Sequence, residues 1–131
     1  MVALTQATLE NPGRYNRGTM SEFVPAFEVR SRLTDHSYPC RFSHLWNGIA
    51  TRHSDTIDTK FFVDGRGVVV GLAHSAFVDF RSRHSRDLTD REASFVAAHF
   101  LAEQLEQEDE HTLYHAPHDD VLRLIARLEI R

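Results

Sequence analysis

Nine histidines in 131 residues are the main concentration of chemistry-bearing side chains in this sequence. The densest group is His111, His115 and His118, followed by Asp119. Spacings of four and three would stack three imidazoles on one helical face, a donor set suited to Zn²⁺ or another divalent transition metal. Pro117 works against one continuous helix. It disfavours helical geometry at Ala116, so the three histidines straddle a turn leading into a last helix. The start of that helix carries positive potential, which opposes a bound cation, with Asp119 and Asp120 as the offset. The plain alternative is a set of histidines solvated in a loop.

His36, Cys40, His44 and His53 form a second, looser group. In a β-hairpin, His44 and His53 would lie diagonally on one face, where the two rings could share a metal. Cys40 reads either as half of a Cys–His nucleophilic pair or as a small buried hydrophobe. The first needs a thiol with a lowered pKa; the second needs only a core position. Arg81, Arg83 and Arg86 stand just before a helix start, where they could bind an anion. As ordinary surface chemistry they would instead complement the acidic end of that helix.

Leu88-Thr89-Asp90-Arg91-Glu92 resembles the opening of response-regulator helix-turn-helix domains at four of its five residues. No Gly-bearing turn or basic recognition helix follows, and helix capping accounts for the same residues. The sequence contains no Gly-x-Gly-x-x-Gly, P-loop, nucleophile elbow, His-Glu-x-x-His or four-cysteine zinc framework.

The elements that must position these residues read as strands first and helices last. From Ala26 to Leu33 the period is two, with Phe27, Val29 and Leu33 inward and Glu28, Arg30 and Arg32 outward. Residues 40–54 fit two patterns. As a hairpin turning at Asn47-Gly48, they place Phe42, His44 and Trp46 on one face, with Trp46 opposite Ile49. As a helix, they give an apolar stripe of Phe42, Leu45, Trp46 and Ile49. The hairpin is favoured, because Gly48 would cost the helix about 1 kcal/mol relative to Ala.

Ile57 to Leu72 is the clearest hairpin, turning at Asp64-Gly65-Arg66-Gly67 and returning through a β-branched run suited to a central strand. A short helix follows from His74 or Ser75 to about Arg83. Thr89-Asp90-Arg91-Glu92 is a capping box, opening a long helix that fades near Gln107. The acidic run from Glu106 to Glu110 opposes the helix dipole, so that end is expected to fray. A last helix begins near Pro117, with Val121, Leu122, Ile125 and Leu128 inward.

This order implies an α+β fold, with an antiparallel sheet of four or five strands in the N-terminal two-thirds. Two or three C-terminal helices pack on one face. Residues 1–20 read as a poorly ordered lead-in, and 21–131 as a single domain. One cysteine gives no disulfide framework, and no apolar run reaches the roughly 20 residues of a membrane span. A soluble, cytoplasmic protein is expected.

Residues 91–131 carry four basic against nine acidic side chains, a balance that repels phosphate backbones, so no nucleic-acid partner is expected. The leading functional expectation is a small binding or interaction module that presents a sheet face or edge to a protein partner or to a second copy. The alternative is a histidine-based metal-binding protein or metal-dependent enzyme.

Overall fold

The computed structural model describes residues 23–48 and 55–131. In chain order these form β1 (Phe27–Arg30), β2 (Ser37–Asn47), β3 (Thr56–Val63), β4 (Arg66–Ala73), α1 (His74–His84), α2 (Asp90–Glu106), β5 (Leu113–Ala116) and α3 (His118–Arg127). The strands make one sheet in the order β1-β2-β3-β4-β5. The first three pairings are antiparallel, and β5 adds parallel to β4. The expected α+β architecture is therefore present, with one parallel pair at its edge. The lead-in expected over residues 1–20 lies outside the described residues.

The β3–β4 hairpin is tighter than its composition suggests. Asp64 and Gly65 alone make the turn, both at positive φ (53° and 81°), and Val63 pairs directly with Arg66. Two positive φ angles match the right-handed twist of the flanking strands, which favours Gly at the second position. Alternation then sorts the side chains. Thr59, Phe61 and Val63 of β3, with Val68, Val70 and Leu72 of β4, fall on one face and are buried. β4 is central, as its β-branched run implies.

β2 departs from the expected hairpin. It runs to Asn47 and pairs with β3, so Trp46 lies opposite Asp58; the expected return arm over 49–54 lies outside the described residues. A register shift between Phe42 and His44 leaves Ser43 as an extra residue. Such a bulge reverses the side-chain alternation beyond it. Phe42 consequently points into the core, its ring edge-on to Phe61 at 5.5 Å, while His44 and Trp46 turn to the opposite face. The three do not share a face.

β1 is also shorter than its pattern. Phe27 and Val29 are buried, but the strand ends at Arg30 and Leu33 is 68% exposed. Ser31 ends it: its hydroxyl accepts the Leu33 and Thr34 N–H groups and folds the chain into a turn.

α2 is the spine of the helical layer. Thr89 caps it with the expected box: the Thr89 hydroxyl accepts the Glu92 N–H, and Glu92 accepts the Thr89 N–H. Phe95, Val96, Ala97, Ala98 and Leu101 are fully buried in its middle. Its acidic end is held rather than frayed. Glu106 faces Arg32 at 3.5 Å, and Glu108 accepts the hydroxyls of Ser31 and Thr34. Glu110 accepts Tyr38 Oη at 2.7 Å and Arg66 at 3.0 Å. These partners hold the Glu108 and Glu110 carboxyls below their ordinary pKa. Here hydrogen bonds from distant strands outweigh the unfavourable helix dipole.

Candidate functional site

The sheet has a helical side and an outer side, and this division decides where each candidate residue lies. β5 alternates, with Tyr114 and Ala116 buried in the core and Leu113 and His115 exposed on the outer face. His118 is the first residue of α3 and belongs to the helical side. There its Nε2 meets Asp79 of α1 at 2.6 Å and its Nδ1 meets Asp119 at 3.0 Å. His111 precedes β5 and pairs with Asp109 at 2.8 Å. The three histidines thus separate across the sheet. Both ring nitrogens of His118 already lie within hydrogen-bond distance of a carboxylate. Among the described residues, no group of three or more His, Cys, Asp or Glu side chains is arranged to hold a metal ion.

His44 lies on the outer face opposite Lys60; its proposed companion His53 lies outside the described residues. Cys40 is a buried core residue, and burial first, then Asp64 and Glu28, pushes its thiol up to about 12. A thiol raised that far is protonated at neutral pH and is no nucleophile.

The expected anion-binding arginines are partly committed elsewhere. Arg81 pairs with Asp87 at 2.7 Å. Arg86 lies over the Phe80 ring, grips Glu92 with two bonds of 2.9 Å, and donates to the main-chain oxygen of Arg131. Burial opposes ionisation of Glu92, but Arg86 and the Thr89 amide more than offset it and hold its carboxyl below the ordinary range. Arg86 is therefore a clamp between the α2 cap and the end of the α3 segment. Arg83 stays exposed, on the rim of a groove between α1 and α3.

The outer face of the sheet carries a different pattern. Arg41 lies opposite Phe62, Lys60 opposite His44, and Trp46 opposite Asp58. Arg41 Cζ sits 4.3 Å from the centre of the Phe62 ring, and Lys60 Nζ sits 5.3 Å from it. The His44 and Trp46 rings lie 4.9 Å apart at a 30° tilt. A shallow cavity of about 310 Å³ opens beside the first stack, lined by Pro39, Arg41, Phe62 and Asp64 among others. Gly67 on the neighbouring β4 leaves the surface low, and a Cβ there would already touch Lys60 at 3.3 Å. Among the described residues Arg41 and Lys60 make no ion pair, whereas Arg32, Arg66, Arg81, Arg86, Arg123 and Arg127 each face a carboxylate.

A second concavity, of about 420 Å³, lies on the helical side where β2 and β3 meet α1 and the start of α2. Leu45, Ile57, Phe77 and Leu88 wall it, with His74 and Asp87 at its edge. Two of its polar groups are partnered: Asp87 by Arg81, and His74 by Asp55 at 3.8 Å.

Comparison with known proteins returns no matching family model, no matching curated protein and no matching solved structure. The site is therefore read from its own geometry. No motif or spacing marks Arg41, Lys60 or Phe62 as a site. The available signal was Phe62, a large aromatic on the wet side of an alternating strand. Its partner Arg41 is visible only once β2 and β3 are in register.

Proposed function

We propose that this protein is a small binding module whose working surface is the outer face of the sheet, centred on Arg41, Phe62 and Lys60. The observation that carries this reading is the pair of cations stacked on one aromatic ring with no carboxylate partner among the described residues. A cation over a ring gains about 0.5–1 kcal/mol when exposed, less than a charge-assisted hydrogen bond to an anion would add. Such groups are pre-positioned and still have hydrogen-bonding capacity to offer. No helix of the described residues is long and apolar enough to cross a membrane.

A second copy is a weaker occupant than a partner of different chemistry. A two-fold contact centred on this face would set Arg41 and Lys60 against their own images, and like charges repel. Light scattering that found a stable dimer, lost on replacing Arg41 and Lys60 together with Glu, would reverse that preference.

Lys60 is the single lysine and Trp46 the single tryptophan, so the face carries two unique reporters. In a screen of small fragments of both charges, binders should slow acetylation of Lys60 and lose affinity in Phe62→Ala. Binders that instead map to the cleft at Phe77 and leave Lys60 labelling unchanged would move the function to that cleft.

A further inference from the structure

Resting on the outer-face reading above, we infer that this face binds a phosphate ester carrying a planar ring, the chemistry shared by a free nucleotide and a single-stranded nucleic acid. The chain is acidic overall, at −4, and the acidic excess of its C-terminal third argues against phosphate only if it shares the binding surface. It does not. Glu103, Glu106, Glu108 and Glu110 belong to α2 and its end, where Arg123, Arg127, Arg32, Arg66 and the hydroxyls of Ser31, Thr34 and Tyr38 already engage them. Among the described residues, Arg41 and Lys60 on the outer face have no carboxylate partner.

The acids on that side are few. Asp58 is fully buried and hydrogen-bonded to Thr56. Glu28 lies one strand away, opposite Pro39. Asp64, in the turn after β3, lines the same cavity as Arg41 and Phe62 and is the one carboxylate among the described residues there.

Shape selects the rest of the ligand. Arg41 and Lys60 both rest on the Phe62 ring, so they converge on one neighbourhood. A tetrahedral phosphate offers acceptor oxygens on several sides and can be reached by a guanidinium fork and an ammonium together. Next to Lys60, the His44–Trp46 pair supplies a stacking surface. Cations alternating with aromatic rings along one face is the arrangement by which proteins hold single strands and nucleotides: rings stack the base, cations take the backbone.

The test is a titration of Trp46 fluorescence at low ionic strength. The probes are adenosine monophosphate, adenosine, inorganic phosphate and a ten-residue oligothymidylate. The expected result is saturable binding of the monophosphate, weakened at least tenfold in Arg41→Gln/Lys60→Gln. Arg83→Gln, an exposed cation elsewhere, should leave it unchanged. Oligothymidylate binding at least tenfold tighter than the monophosphate would identify a strand as the source; comparable affinity would identify the free nucleotide.

The inference is overturned if adenosine or inorganic phosphate binds as tightly as the monophosphate, or if the double variant binds as well as the parent. Circular dichroism establishes that the double variant is folded. Should only non-phosphate fragments protect Lys60 from acetylation, the ligand class fails and the outer-face reading stands. Should no probe of any charge protect Lys60, both fail.

Discussion

Replacing Gly48 with alanine should destabilise the fold, although local backbone preference alone predicts a gain. Gly48 follows β2 with a φ outside the left-handed region, so alanine fits the backbone. By reducing the freedom of the unfolded chain, it would ordinarily add about 0.4–1 kcal/mol. Space opposes this. A Cβ at Gly48 would lie 2.6 Å from Thr56 Oγ1, 2.8 Å from Asp58 Oδ2 and 3.0 Å from Asp58 Cγ. Neither neighbour can yield easily: Thr56 is 1% exposed and Asp58 0%, and Thr56 Oγ1 donates to Asp58 Oδ1 at 2.7 Å. Overpacking a rigid site costs about 1–3 kcal/mol, so the net loss should be about 1–2 kcal/mol. With a urea slope of roughly 1.5–2 kcal/mol/M for a chain of this size, the midpoint should fall by roughly 0.5–1.3 M. Trp46, two residues away, reports the transition. Thr56→Ala removes the closest contact, so in that background the cost of Gly48→Ala should shrink by half or more. A midpoint equal to or above that of the parent would refute the reasoning.

Three further outcomes follow from the same geometry. Glu92→Ala removes the reciprocal cap and the Arg86 clamp, and should cost about 2 kcal/mol: about 1 for the cap and about 1 for a partly exposed ion pair. Because the Glu92 carboxyl is held below its ordinary range, that stability is present above the unfolded carboxylate pKa. It is lost as pH falls through the folded value, and urea unfolding at pH 7 and pH 3 should show the gap between parent and variant closing. His118 runs the other way: Asp79 first, then Asp119, raise its pKa, so its contribution is full below the unfolded value and lost as pH rises through the folded one. The Tm gap between the parent and His118→Gln should therefore be wider at pH 5 than at pH 8, and a gap constant with pH would count against the clamp. Ser31→Ala deletes an acceptor for two amides and a donor to Glu108; it should cost about 1–2 kcal/mol and speed amide exchange at Leu33 and Thr34, which unchanged exchange would contradict.

What could be read from the sequence was local, and what could not was a matter of pairing. The β3–β4 hairpin and the α2 capping box declare themselves within a few residues, through alternation, a turn glycine and a Thr–Glu spacing of three. The Ser43 bulge has no local mark. One extra residue reverses every side chain beyond it, and that reversal sends His44 and Trp46 to the outer face while Phe42 stays in the core. The acidic end of α2 looked repulsive because its partners, Ser31, Thr34 and Tyr38, lie more than seventy positions earlier. β5 hid for a related reason. Four residues ahead of Pro117 form a strand because β4 offers them an edge, and the histidine spacing, counted along a helix, lost its meaning there. The candidate site has the same origin. Lys60 and Phe62 sit two apart on one strand, an ordinary pattern for a wet face, and they become a pair of stacks only when Arg41 arrives from across the sheet. Tests of function should accordingly start from residues that register brings together, Arg41 with Phe62 and His44 with Lys60, before those that merely recur along the chain.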